Sequence, residues 1–439
     1  MIKKFTFVFS LTLICQLISL FSISFVVKRN ATEDFIEFIA LLDSSSILIT
    51  TILSFGIIQI ASREIVTSDK WKKVIEDTQN IRINFSYVLF ILGLLLYLIT
   101  KKYYFLTFLF SPLIALNVNY VFYAKGKPQL AVKNSSTRLI ILSFSLIFLG
   151  IFEFFSKEIY LFFFIVGLTY VAFVSNSLLK TIINFKIDPY FFKGYSKSIG
   201  VGITDLAIIF LEFGILFFAS FFYNTTIVSG AYILIKIITL VKGFQRMIFQ
   251  VFYDQLIYKE KVYFLDQIIL FVGFSFFILS FFFSKEILIL LYSKNSIIFC
   301  NNFIFFSLAL LIGSIILTSM ARTLIIKKDK TYIRSYFLSI FFSSSTMVIL
   351  SYTKINCYGI SISLLVGELV LFLSFFSGIW KEIYLKKKMV VFIKYIILFL
   401  FYYLISKMFQ EQILFIIILI LQLSIALFFL FQNKKILNK

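Results

Sequence analysis

The chain has 439 residues, of which 61% are hydrophobic and 14% charged, and it carries a formal charge of +21. Its mean hydropathy of +1.00 lies far outside the range of water-soluble domains, so the bilayer is read as its solvent. A soluble nucleic-acid-binding protein is excluded, because Lys and Arg gather between apolar stretches instead of along one face.

Crossing a hydrocarbon core of about 30 Å as a helix takes roughly 20 apolar residues. The opening Met1-Ile2-Lys3-Lys4 imitates a secretory signal, but its apolar run is too long and lacks a small-x-small cleavage site, so an uncleaved first helix is expected. Spans are expected over residues 5–27, 35–61, 83–100, 105–124, 139–155, 159–183 and 199–223. They continue over 227–249, 268–283, 303–326, 336–352, 357–380, 390–406 and 413–431, about fourteen in all.

With a cytoplasmic N-terminus, the loops on that side collect roughly three times as many basic residues as those opposite, so both termini are expected in the cytoplasm. Trp71-Lys72-Lys73, Lys327-Lys328-Asp329-Lys330 and Lys386-Lys387-Lys388 read as topology anchors facing anionic lipid. The opposite loops are short and leave no room for an extracytoplasmic domain, and the sequons at Asn30 and Asn224 carry little meaning in such turns. The first six spans and the next six share polarity and loop plan. Two six-helix lobes are therefore expected, residues 1–197 and 198–388, with 389–439 adding two C-terminal helices.

Cys15, Cys300 and Cys357 are far apart and histidine is absent, so neither a metal site nor a disulfide framework is expected. No nucleotide-binding loop or cofactor motif is present. The abundance of Phe, Ile, Lys and Asn fits an AT-rich bacterial genome.

An ionisable group inside a span costs several kcal/mol unless it pairs or faces water, so each is a functional candidate. These are Asp43 in the second span, Asp205 and Glu212 in the seventh, Lys236 and Lys242 in the eighth, Arg322 in the tenth and Glu368 in the twelfth. Glu212 and Lys236 are expected near mid-bilayer on adjacent antiparallel spans, where they can pair, and Glu368 reaches a similar depth. Such a cluster suits a cavity for a coupling cation or a polar headgroup, or else a structural ion pair. Asp205, Lys242 and Arg322 fall nearer the cytoplasmic boundary, where basic side chains snorkel. Lys242 follows Lys236 by less than two turns, and two lysines so placed could meet a diphosphate. Asp43-Ser44-Ser45-Ser46 is a polar patch in the outer part of its span, lining a cavity or packing helices. The first six spans carry no base except Lys180, near an end. Pro112 is the one proline inside a span, and a bend is expected around Gly202 and Asp205.

Three stretches carry a resemblance: Thr51-Ile52-Leu53-Ser54-Phe55-Gly56-Ile57 with Arg63-Glu64, Tyr123-Ala124-Lys125-Gly126-Lys127, and the run from Tyr358-Gly359-Ile360 to Gly367-Glu368. With the span plan, they make the chain similar to the O-antigen and capsular polysaccharide flippases of the multidrug/oligosaccharidyl-lipid/polysaccharide exporter superfamily. The resemblance implies an all-α polytopic membrane fold of two six-helix lobes plus two C-terminal helices, V-shaped around a central cavity. It implies a cationic lining, supplied here by Lys236, Lys242, Arg322 and Arg29, that receives the pyrophosphate and sugars of an undecaprenyl-linked oligosaccharide in the bacterial inner membrane. Membrane lipids and polysaccharide polymerase machinery are the implied partners. Asp205, Glu212 and Glu368 would couple an ion or form structural pairs.

A cation-coupled drug antiporter of the same superfamily would use the embedded acids and remains an alternative. A membrane polysaccharide polymerase or polyprenyl-dependent glycosyltransferase is a third reading, imitated by Glu33-Asp34. The loop carrying those acids is too short for such chemistry, and no enzyme activity is expected.

Overall fold

The computed structural model describes residues 2–432 apart from 68, 180–191, 197, 252–258, 293, 326–328, 354, 380–384 and 408–410. Every regular element among the described residues is helical. In chain order these are α1 (Ile2–Lys28), α2 (Glu33–Ser54), α3 (Ile57–Thr67), α4 (Trp71–Thr100), α5 (Ser111–Ala115), α6 (Asn119–Ala124), α7 (Pro128–Ile151), α8 (Lys157–Leu179) and α9 (Phe192–Ser196). The second half holds α10 (Ile199–Ile209), α11 (Ile215–Ala219), α12 (Thr225–Val251), α13 (Lys259–Leu291), α14 (Cys300–Ile325), α15 (Asp329–Ser351), α16 (Gly359–Ile379), α17 (Leu385–Ser406) and α18 (Glu411–Gln432). Ten described helices are long and apolar enough to cross a membrane, and three shorter apolar ones accompany them. The chain is a multi-pass membrane protein.

Two of these helices occupy the centre. In α2, 72% of the membrane-length window is buried inside the protein, against 28% in α4, so α2 is an axis and α4 faces lipid along much of its length. Thr32 caps α2 by accepting a hydrogen bond from the Phe35 amide at 3.3 Å, and Glu33 and Asp34 sit in the first turn, where the helix dipole favours acids. The other central helix is α12, which packs on α1, α2, α13 and α14. One buried apolar cluster joins residues of α1 and α2 to residues of α12, α14 and α16. A second holds α17 and α18 against α13, with Tyr395 on Phe274 at 4.5 Å and Phe415 on Phe283 at 5.2 Å between ring centres. Between α15 and α16, Ser339 and Ser343 donate to the carbonyls of Gly367 and Ser363 at 2.7 and 2.8 Å, and the small residues let the two backbones approach.

Several expected spans are interrupted. The second stops at Phe55, with φ 29° and ψ 52°, and Gly56, with φ 75°, before resuming as α3. Tyr195 and Ser198 donate to the carbonyls of Leu53 and Phe55 freed by this break, at 2.8 and 2.7 Å. Gly202 packs there: a Cβ on it would lie 2.7 Å from the Phe55 carbonyl oxygen. Contrary to the expected bend, α10 therefore runs helical through Gly202 and Asp205, and the glycine serves close approach. The irregularity comes later, in the π-helical Phe210–Gly214 before α11.

The fourth expected span is broken too. It comprises a 3₁₀ segment, Tyr103–Phe110, then α5 with Pro112 in its first turn, an interruption at residues 116–118, and α6. Arg82 of α4 donates to the carbonyls of Asn117 at 2.8 Å and Ile114 at 3.3 Å, while Asn176 of α8 donates to Leu116 at 2.7 Å. Irregular backbone persists at membrane depth only when its polar groups are met inside the protein, and these two side chains meet them. The expected loop 284–302 is largely helical: α13 bends at Phe283 and runs on to Leu291, because Lys285 and Glu286 stay exposed while Leu288 is buried on the inner face.

Candidate functional site

The chemistry gathers along α12. Glu33, opening α2, accepts a hydrogen bond from Thr226, at the start of α12, so the two helices begin level and run parallel. Ten residues on from Glu33 lies Asp43, and eleven on from Thr225 lies Lys236, each about 15 Å down its helix and so near mid-membrane. They meet. Lys236 Nζ is 2.7 Å from Asp43 Oδ2, and the Tyr232 hydroxyl, one turn before Lys236, donates to the same oxygen at 2.7 Å. Asp43 thus lies at mid-depth, deeper than the outer position expected of it, because α2 ends at Ser54 and does not continue straight to residue 61. Lys236 therefore pairs with Asp43, and the side chain of Glu212, the partner expected for it, lies outside the described residues.

A second base lies near enough to act on the charge of Asp43. Arg138, ten residues into α7, is half-buried, with its side chain against Gly167 of α8 and its guanidinium 5.1 Å from the Phe164 ring centre. Its Nε is buried without a hydrogen-bond partner, and no described carboxylate lies within ion-pair distance of it. Asp43 and Tyr160 are the groups that act on it electrostatically. Among the described side chains, the cluster therefore holds two bases and one acid.

Arg138 and Arg82 correct the expectation that the first six spans lack bases apart from Lys180, which lies outside the described residues. Hydropathy starts the spans at residues 83 and 139, one residue beyond each arginine, whereas the helices start at Trp71 and Pro128. A legible signal was Gly126-Lys127-Pro128, since proline favours the first turn of a helix, which places Arg138 in the third turn. The two arginines differ in use. Arg82 is spent on the helix break and on Gln79 at 2.9 Å, whereas Arg138 forms no hydrogen bond to a described residue.

The third base, Lys242, points elsewhere. Six residues beyond Lys236 it emerges about 120° away around α12 and reaches Glu368 of α16 at 3.3 Å. Gly313 of α14 makes room for that carboxylate, since a Cβ there would lie 3.1 Å from Glu368 Oε2. The lysines are thus split between two carboxylates and do not converge on one anion. Breaking a buried pair from the lysine side leaves an uncompensated acid, at about 3–5 kcal/mol. Lys242→Met alone is therefore expected to lower the melting temperature in detergent, and adding Glu368→Gln to restore most of it; equal melting of single and double variants would refute the coupling.

Arg29 stands at the end of the bundle, paired with Glu153 at 3.1 Å, with side-chain exposures of 48% and 62%, so that pair is a weak surface contact. Nearby, Lys28 donates to the Leu290 carbonyl at 2.6 Å, joining the last turns of α1 and α13. The side chains of Asp205, Glu212 and Arg322 lie outside the described residues. No group of metal-ligating residues occurs among those described.

No protein-family model matches the chain, and no curated protein does. Solved structures do. The lipid II flippase MurJ in an inward closed conformation superposes with a TM-score of 0.72 at 15% identity, over 98% of this chain and 99% of that one. The fold resembles that of a lipid II flippase. MurJ and this chain share helix order and arrangement along nearly their whole lengths. More distant are the eukaryotic MATE transporter AtDTX14, at a TM-score of 0.48, 13% identity and coverage of 90% and 98%, and an outward-facing MATE family transporter of the MOP superfamily, at 0.48, 11%, 88% and 94%.

Proposed function

We propose that the chain is a flippase that carries undecaprenyl-pyrophosphate-linked oligosaccharide repeat units across the bacterial inner membrane. The observation that carries this reading is the mid-depth cluster in which Arg138 acts on the Lys236–Asp43 pair while no described carboxylate is paired with it. Among the described side chains, two bases over one acid leave a positive excess in low dielectric, which favours an anionic headgroup over a cationic drug. A guanidinium with unused donors is suited to phosphate oxygens. The MurJ-like fold supports a lipid-linked substrate whose tail stays in the bilayer while its headgroup crosses. A cation-coupled antiporter needs an embedded carboxylate open to its cation, and the two described carboxylates that face α12, Asp43 and Glu368, are each held by a lysine.

In this reading residues 1–197 and 198–388 are two lobes that open alternately to either side, residues 389–439 flank the second, and both termini are cytoplasmic. Opening toward the side that carries Lys28 and Glu33 requires the Lys28–Leu290 and Glu33–Thr226 contacts to part. The assembled units would pass to surface polysaccharide polymerase machinery. The test is deletion of the gene in its native strain, with mass spectrometry of lipid-linked oligosaccharide and surface glycan. Complete single repeat units should accumulate while surface glycan disappears; unchanged pools would overturn the reading.

A further inference from the structure

We infer that Asp43 is a built-in stand-in for the substrate's phosphate, occupying the anion seat of the mid-depth cluster until the headgroup displaces it. The inference rests on the flippase reading. Tyr232 and Lys236 are one turn apart on α12, so their donors project from one face, and both close on a single oxygen, Asp43 Oδ2, at 2.7 Å each. A phenol and an ammonium converging on one oxyanion is the arrangement a phosphate oxygen would find. Arg138, from α7, contributes the opposing positive charge and acts on Asp43 without bonding to it. Among the described side chains a monoanionic carboxylate leaves this seat one positive charge in excess, whereas a diphosphate can engage Lys236 and Arg138 together.

Asp43 also belongs to α2, while Tyr232 and Lys236 belong to α12, 189 and 193 residues later in the chain. The stand-in therefore holds the two halves together at mid-depth, and an arriving phosphate that takes over its donors releases α2 from α12. A ligand shifts a conformational equilibrium only through differential contacts in the two states, and this exchange supplies one. It also sets specificity: a monovalent anion gains little by replacing a carboxylate already in place, so the seat selects ligands of higher charge.

The test uses purified full-length protein in detergent, with inorganic pyrophosphate as the probe and calorimetric titration as the readout. Asp43→Asn vacates the negative charge and is expected to bind pyrophosphate at least tenfold more tightly than wild type, while Asp43→Glu, which keeps the charge, binds no tighter. Asp43→Ser, matching the serines that follow it, repeats the test if the amide variant does not purify. Equal or weaker binding by the neutral variants overturns the inference; because losing Asp43 leaves Lys236 uncompensated, their melting temperature is also read, and pyrophosphate that raises it no more than it raises that of wild type overturns the inference as well. Reconstituted wild type that translocates a polyprenyl diphosphate alongside a negative Asp43→Asn result leaves the flippase reading standing. Absence of both translocation and pyrophosphate binding removes both.

Discussion

Arg138→Ala is expected to abolish translocation of the anionic headgroup while leaving the protein in the membrane at wild-type amount. The asymmetry follows from the surroundings of the side chain. Its guanidinium makes no hydrogen bond, so alanine orphans no partner, and the packing lost against Phe164 and Gly167 is modest. A bound phosphate loses more. Hydrogen bonds to charged groups are worth about 1.5–3 kcal/mol each, so losing a two-bonded guanidinium lowers transport by roughly a hundredfold or more. Arg138→Lys keeps the charge but not the planar fork and should fall between wild type and alanine. Transport into liposomes, normalised to protein incorporated, is the measurement, and near-wild-type transport by Arg138→Ala would remove this cluster from the translocation path.

Arg82→Ala is expected to do the reverse and damage the fold first. Arg82 is 1% exposed, and the carbonyls of Ile114 and Asn117 accept its hydrogen bonds at the helix break. Leaving a buried carbonyl unmet costs about 1–3 kcal/mol, so the pair amounts to about 3–5 kcal/mol, enough to deplete the protein from the membrane. Arg82→Lys, with a single-point ammonium, can reach one carbonyl and should recover part of the loss. Melting in detergent and steady-state membrane level report the effect, and an unchanged melting temperature for Arg82→Ala would show that the break is held by Gln79 and Asn176 alone.

The contrast between these arginines shows what the sequence disclosed and what it hid. Apolar length made the helical membrane class legible, because the bilayer fixes how long a spanning helix must be. It also brought Asp43, Lys236, Lys242 and Glu368 to notice as ionisable residues inside apolar runs. Partner choice was not legible. Depth along a helix can be counted from sequence, but Lys236 finds Asp43 because α2 packs on α12, a contact between segments almost two hundred residues apart that no spacing rule encodes. Arg82 and Arg138 were missed for a different reason: hydropathy marks where a helix becomes apolar, not where it begins, and both helices begin ten or more residues earlier. The breaks at Phe55 and at residues 116–118 were equally hidden, because their stability comes from Tyr195, Ser198, Arg82 and Asn176 on other segments.

The break between α5 and α6 bears on how the chain enters the bilayer during synthesis. An arginine placed mid-helix costs about 2.5–3.5 kcal/mol to insert, so α4 alone is a reluctant membrane segment for all its apolar second half. The segment after it is reluctant for the opposite reason, since its interrupted backbone presents carbonyls that lipid cannot satisfy. Each supplies what the other lacks, a buried donor against orphaned acceptors, and they are consecutive in the chain. Residues 71–124 should therefore leave the translocon as one hairpin rather than as two successive helices. A chain interrupted between them would leave α4 poorly lodged in the membrane until its neighbour emerged.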